Sequence, residues 1–204
     1  MNLPEPAAAL LDFWFGPADD PDRERQREIW FRSTDAFDAA LRRRFLDDHD
    51  FAAAGRLTAW EASPQGALAL VLLLDQVPRN LFRGTPRAYM TDAAARAAAD
   101  RALARGFDRQ VPPVWRQFFY LPFHHSEDFA DQRRARTLFE ALPADPERAE
   151  RLRYARRYHE IIARFGRFPH RNAILGREST AEEIAFLAEA DASSAGHRRP
   201  GGRR

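Results

Sequence analysis

Apolar positions along this chain recur at the three- and four-residue spacing of helices, and no stretch alternates convincingly as a strand would. Leu10, Leu11, Phe13 and Trp14 follow a proline-interrupted start, and Gly16-Pro17 ends whatever helix they form. Arg23 to Phe31 reads as a short helix. A longer one is expected from Asp35 to Ala54, with Phe37, Leu41, Phe45 and Phe51 near one stripe and Gly55 as its stop. Trp60 is expected to pack into the next junction. Ser63-Pro64, a capping residue followed by proline at the first helical position, opens the most apolar helix, which should end at Val77-Pro78. Leu68 and the run from Leu70 to Leu74 leave this helix no polar face over two turns, which makes it the central one.

Further along, Thr91-Asp92 reads as the cap of an alanine-rich helix ending before Gly106. Pro112-Pro113 begins an aromatic segment that Pro122 interrupts, Ser126 can cap a helix from Glu127 to Leu142, and Asp145-Pro146 starts another that reaches Phe165. A capping box, Ser179 with Glu182 or Thr180 with Glu183, precedes a last helix. The expected fold is all-α: an irregular array of about eight or nine helices stacked as helix hairpins. No fixed 34-residue repeat is visible. One helical domain should span 1–191, followed by a disordered basic tail, 192–204, rich in Gly, Ser and Pro.

Composition removes several chemistries. With no cysteine among 204 residues, disulfides, thiolate metal sites, iron–sulfur clusters and cysteine nucleophiles are excluded. Lysine is also absent, which excludes Schiff-base and pyridoxal chemistry and the P-loop amine. The formal charge is +2, and four of the arginines lie in the tail, so the body of the chain is slightly acidic and disfavours nucleic acid as a partner. Residues 1–11 lack the basic start of a signal peptide, and the apolar run from Ala67 to Leu74 is too short to span a bilayer. A soluble cytoplasmic protein with no membrane partner is expected, and no cofactor is suggested.

Polar chemistry crowds three predicted junctions: residues 75–84 (DQVPRNLFRG), 121–128 (LPFHHSED) and 164–172 (RFGRFPHRN). The stretches Leu74 to Tyr89, Pro122 to Asp128 and Arg164 to Thr180, together with Phe13-Trp14-Phe15, resemble a bacterial family known as domain of unknown function 924. That resemblance implies an all-helical, tetratricopeptide-like fold and no established activity. His124 stands at a position that varies in the family, so the resemblance implies no metal pair made of His124 and His125.

Asp75 follows six apolar residues at the expected carboxyl end of the central helix, where the helix dipole disfavours an anion, so it needs a partner such as Arg79 or Arg83. It is either a salt bridge locking the helix end or a carboxylate poised in a pocket. Eight arginines and three glutamates lie between Glu147 and Arg171. Arg148, Arg151, Arg153 and Arg157 fit a solvated face, whereas Arg164, Arg167 and Arg171 flank a loop and suit carboxylate or phosphate recognition. His159 falls on an apolar stripe, as a core histidine would. His125 and His170 fall in loops and suit general acid–base work. Glu127 and Asp128 fit the first turn of a helix, where the dipole favours acids. No metal site is expected, because no helix offers two histidines at i, i+4.

The sequence thus predicts one pocket. His125, His170, Asp75 and Glu127 are its candidate catalytic groups, and Arg79, Asn80, Arg83, Arg164, Arg167, Arg171 and Asn172 its candidate ligand-binding groups. The expected partner is a small anion, whether or not catalysis follows. The competing expectation is a scaffold that presents a groove to a peptide or partner protein.

Overall fold

Every regular element in the described residues, 3–196 of a computed structural model, is helical. Eight α-helices run in chain order: α1 (Glu5–Phe15), α2 (Asp35–Ala53), α3 (Pro64–Leu81), α4 (Asp92–Ala104), α5 (Pro113–His124), α6 (Phe129–Glu140), α7 (Arg148–Phe165) and α8 (Ala181–Gly196). From α2 to α7 each helix packs on the next. The odd-numbered α1, α3, α5 and α7 also touch in succession, forming an inner row. No helix among the described residues is long and apolar enough to cross a membrane.

α3 holds the centre, as its lack of a polar face requires. Every residue from Gly66 to Asp75 is buried. Truncating one of its fully buried leucines would cost about 2–5 kcal/mol, so side chains mounted on α3 stand on a rigid base. Ser63 caps the helix by accepting from Gly66 N at 3.1 Å. A side chain at Gly66 would collide with the Trp60 carbonyl, which fixes glycine at this close approach. Trp60 is buried in that junction, as expected.

α3 does not stop at Val77-Pro78; it runs one turn further, to Leu81. Proline at 78 offers no N–H to the Leu74 carbonyl four residues back. The Thr91 hydroxyl fills that gap, donating to Leu74 O at 2.6 Å, so Thr91 does not cap α4 with its side chain. Asp75 is therefore inside a helix, not at its end. α5 likewise continues through Pro122 to His124.

Other expectations shift for similar tertiary reasons. Arg23–Phe31 shrinks to turns and a 3-10 turn at Glu28–Trp30. Its polar groups bond the core instead: Trp30 Nε1 and Arg27 Nη1 both donate to Trp14 O, at 2.7 and 2.9 Å. α6 is capped by Asp128, which accepts from the backbone of Ala130 and Asp131, while Ser126 and Glu127 precede the helix. Glu127 thus lies outside the first turn. Phe51 and Tyr154 are exposed, and Arg151 is buried against Asp145 and Gln26 rather than on a solvated face. His159 is only half-buried, beside Phe129. Gly166, at φ 67°, ends α7 in the left-handed conformation that glycine adopts without strain. α8 continues to Gly196, beyond the expected boundary at 191, and the rest of the basic tail lies outside the described residues.

Candidate functional site

Two polar networks meet at the 3-10 turn Pro169–Arg171, and the predicted site residues divide between them. The first is a closed ring. Asp75, fully buried on α3, holds His125 at the end of α5, with Oδ1 2.8 Å from Nδ1, and its Oδ2 accepts from Gln76 at 2.6 Å. Arg79, one turn along α3, lies 3.3 Å from Asp75 and 2.8 Å from Asp92 of α4. Arg171 approaches Asp92 at 3.5 Å and closes the ring by donating to the His125 carbonyl at 2.9 Å. Its guanidinium packs against the rings of Tyr89 and Phe168, both at 4.6 Å.

This ring sets the protonation of its members. Burial alone would raise Asp75, but the charge of Arg79 and the contacts of His125 and Gln76 outweigh it and hold the carboxyl well below its ordinary value. Burial and then the Arg79 charge lower His125, with Asp75 opposing them, so the imidazole is neutral near pH 7. A neutral imidazole whose Nδ1 faces a carboxylate carries its proton there, which leaves the Nε2 lone pair available as a base.

His125 lines a cavity of about 890 Å³. One wall is the end of α3 and the residues just past it: Gln76, Arg79, Asn80 and Arg83. Arg83 makes its contacts, to Ser33, Asp38 and Asn80, through Nη2. The acids that reach the cavity, Glu28, Glu147 and Glu150, come from other segments, and the charged groups of this wall are Arg79 and Arg83, each already paired with aspartate. His124 also lines the hollow, stacked on Tyr158 with centroids 4.1 Å apart. Burial, then the charge of His125, lowers its pKa well below the usual value. Its Nδ1 is buried with no hydrogen-bond partner among the described residues. With the proton on Nε2, Nδ1 is an unpaired acceptor.

The second network is a clasp. Arg177 donates to both Glu127 oxygens at 2.7 and 2.9 Å, and Phe168 N donates to the same carboxylate. Asn172, fully buried, accepts from Arg177 and donates to Ser179 and Glu183. Glu183 takes a two-pronged bond from Arg167, and with Thr180 it makes the capping box of α8. The hydrogen bond from Arg167 chiefly holds Glu183 low, at about 2. This network joins the α5–α6 junction to the start of α8 and lines no part of the cavity.

Of the predicted residues, Arg79, Asn80, Arg83 and His125 reach the cavity, and Asp75 and Arg171 stand directly behind it. Glu127, Arg167 and Asn172 belong to the clasp. Arg164 sits on the surface, paired with Glu182, and does not approach the cavity. His170 is exposed and outside the cavity wall, its imidazole lowered by desolvation and then by Arg171. Sequence reasoning missed Asp92, which looked like an ordinary first-turn acid, and Gln76, Arg177 and Glu183. It also missed the wall contributed by Gln26–Ser33 and Tyr154–Tyr158, which carries no motif. Among the described residues, no group of three or more His, Cys, Asp or Glu could hold a metal ion.

The molecule is thus an all-helical protein in which a buried aspartate holds a histidine at the edge of a mixed polar and aromatic cavity. Residues 10–191 match the model of a family described as bacterial protein of unknown function, DUF924, and the chain belongs to that family. It is similar to the solved structure of a protein of unknown function, ATU0120, from Agrobacterium tumefaciens. The two share 45% identity over 90% of this chain and 97% of that one, with a TM-score of 0.80. No curated protein matches the chain.

Proposed function

We propose that the protein binds a small anionic molecule in this cavity and that His125, positioned by Asp75, exchanges a proton with it. The observation that carries this reading is a buried carboxylate orienting an imidazole whose second nitrogen has no partner among the described residues, at the edge of a hollow also lined by Arg79 and the exposed Arg83. A carboxylate behind the imidazole fixes its tautomer and stabilises the imidazolium formed when it takes a proton. Arg83 and the outer edge of Arg79 would hold the anion.

Thermal-shift and NMR titration against a panel of carboxylates and phosphates tests the reading. At least one should bind the wild type and lose about tenfold or more in affinity with His125→Asn or Arg83→Ala. A panel with no binder sensitive to these substitutions sinks it. Any reaction found should slow by about 10²–10⁴-fold in His125→Asn. Its rate should rise with pH as the imidazole loses its proton, with the inflection below histidine's ordinary 6.5, because burial and Arg79 lower His125.

A second reading, a tetratricopeptide-like scaffold for a peptide or partner protein, draws support from the arginines of the third segment, since Arg164, Arg167 and Arg171 are all paired inside the molecule.

A further inference from the structure

The pair at Asp75 and His125 accounts for one corner of the cavity and leaves most of its wall unused. At about 890 Å³ the hollow falls in the range of roughly 300–1,000 Å³ that suits organic molecules of drug size. Since a water's share of liquid volume is about 30 Å³, a bare phosphate or acetate would fill only on the order of a tenth of it. Six of the remaining lining residues are aromatic or aliphatic, Trp30, Phe31, Leu121, Phe139, Tyr154 and Tyr158, set among polar and charged ones that include Glu28, Arg32, Glu147 and Glu150. Phe31 and Tyr154 are 56% and 44% exposed. The other large apolar side chains left in solvent, Phe51, Met90, Phe129 and Ile184, lie away from this cavity. Two exposed rings, from segments far apart in the chain, therefore line the same cavity as Arg79 and Arg83.

We propose that the occupant is an anionic aromatic compound, its charged head on the α3 wall beside His125 and its planar body against Phe31 and Tyr154. This rests on the anion reading and adds the body that the head alone does not require. A flat ring covers an exposed ring with little loss of side-chain freedom and gains from offset or edge contact. A flexible alkyl chain would use these faces less well.

The test uses the full chain and four probes followed by NMR titration: inorganic phosphate, phenyl phosphate, 1-naphthyl phosphate and neutral 2-naphthol. Affinity should climb about tenfold or more from phosphate to the naphthyl ester, since burying an aromatic body of this size gains at least that much. Phe31→Ala and Tyr154→Ala should remove most of that gain while leaving inorganic phosphate binding as it was. Both rings are exposed, and an unchanged melting temperature confirms that the variants fold. If phosphate binds as well as its naphthyl ester, the aromatic body is wrong and the anion site stands. If 2-naphthol binds as well as the ester, the charged head is wrong and this proposal falls with it. If no probe binds in a manner sensitive to His125→Asn, the parent reading fails as well.

Discussion

The ring around Asp75 and the clasp around Glu183 are built from the same parts, arginines, carboxylates and one amide or imidazole, and they share the turn at Pro169–Arg171. They differ in how they end. In the clasp, Asn172 and both Glu183 oxygens are spent on protein partners. In the ring, the His125 imidazole has one nitrogen on Asp75 and the other unclaimed among the described residues, and the residue lines a cavity. Polar crowding therefore does not distinguish a site from a fastening. What distinguishes them is whether a donor or acceptor is left over where a ligand could reach it.

The largest effect that would sharpen this contrast is expected at Asp75. Asp75→Ala strands the His125 Nδ1 proton and leaves the buried Arg79 charge with Asp92 alone, and should cost about 3–5 kcal/mol of stability in urea unfolding. Asn172→Ala comes next. It strands Arg177 Nε and takes one of three donors from Glu183 Oε2, at about 1–3 kcal/mol in the same measurement, and should leave ligand affinity unchanged. Affinity lost in Asn172→Ala beyond what its stability explains would break the division between ring and clasp. Smallest is Arg164→Ala, which removes an exposed pair with Glu182 and should shift stability by less than about 0.5–1 kcal/mol, with no change in binding.

Much of this was legible in the sequence. Periodicity and capping signals gave the helical class, the central α3, the Ser63 cap and the Thr180–Glu183 box, because each is a local decision. The proline positions misled: Pro78 and Pro122 sit inside helices, since the Leu74 carbonyl freed by Pro78 finds a hydroxyl seventeen residues away. That partner is invisible to local pattern. The split of the third segment was equally hidden. Arg167 and Asn172 look as chemically ready as Arg171, and only the fold puts Glu183 against them and Tyr89 against Arg171. The aromatic side of the cavity, from Trp30 to Tyr154, arises purely from distant segments meeting.

The Thr91 bond to Leu74 has a mechanical consequence. At Pro78 the ladder of α3 is missing a rung, and the strut that replaces it is anchored in α4. The stretch carrying Arg79, Asn80 and Arg83 is thus tied to a neighbour as well as to its own helix. A push on the start of α4 could tilt those three side chains without unwinding the deep, leucine-filled part of the rod beneath them.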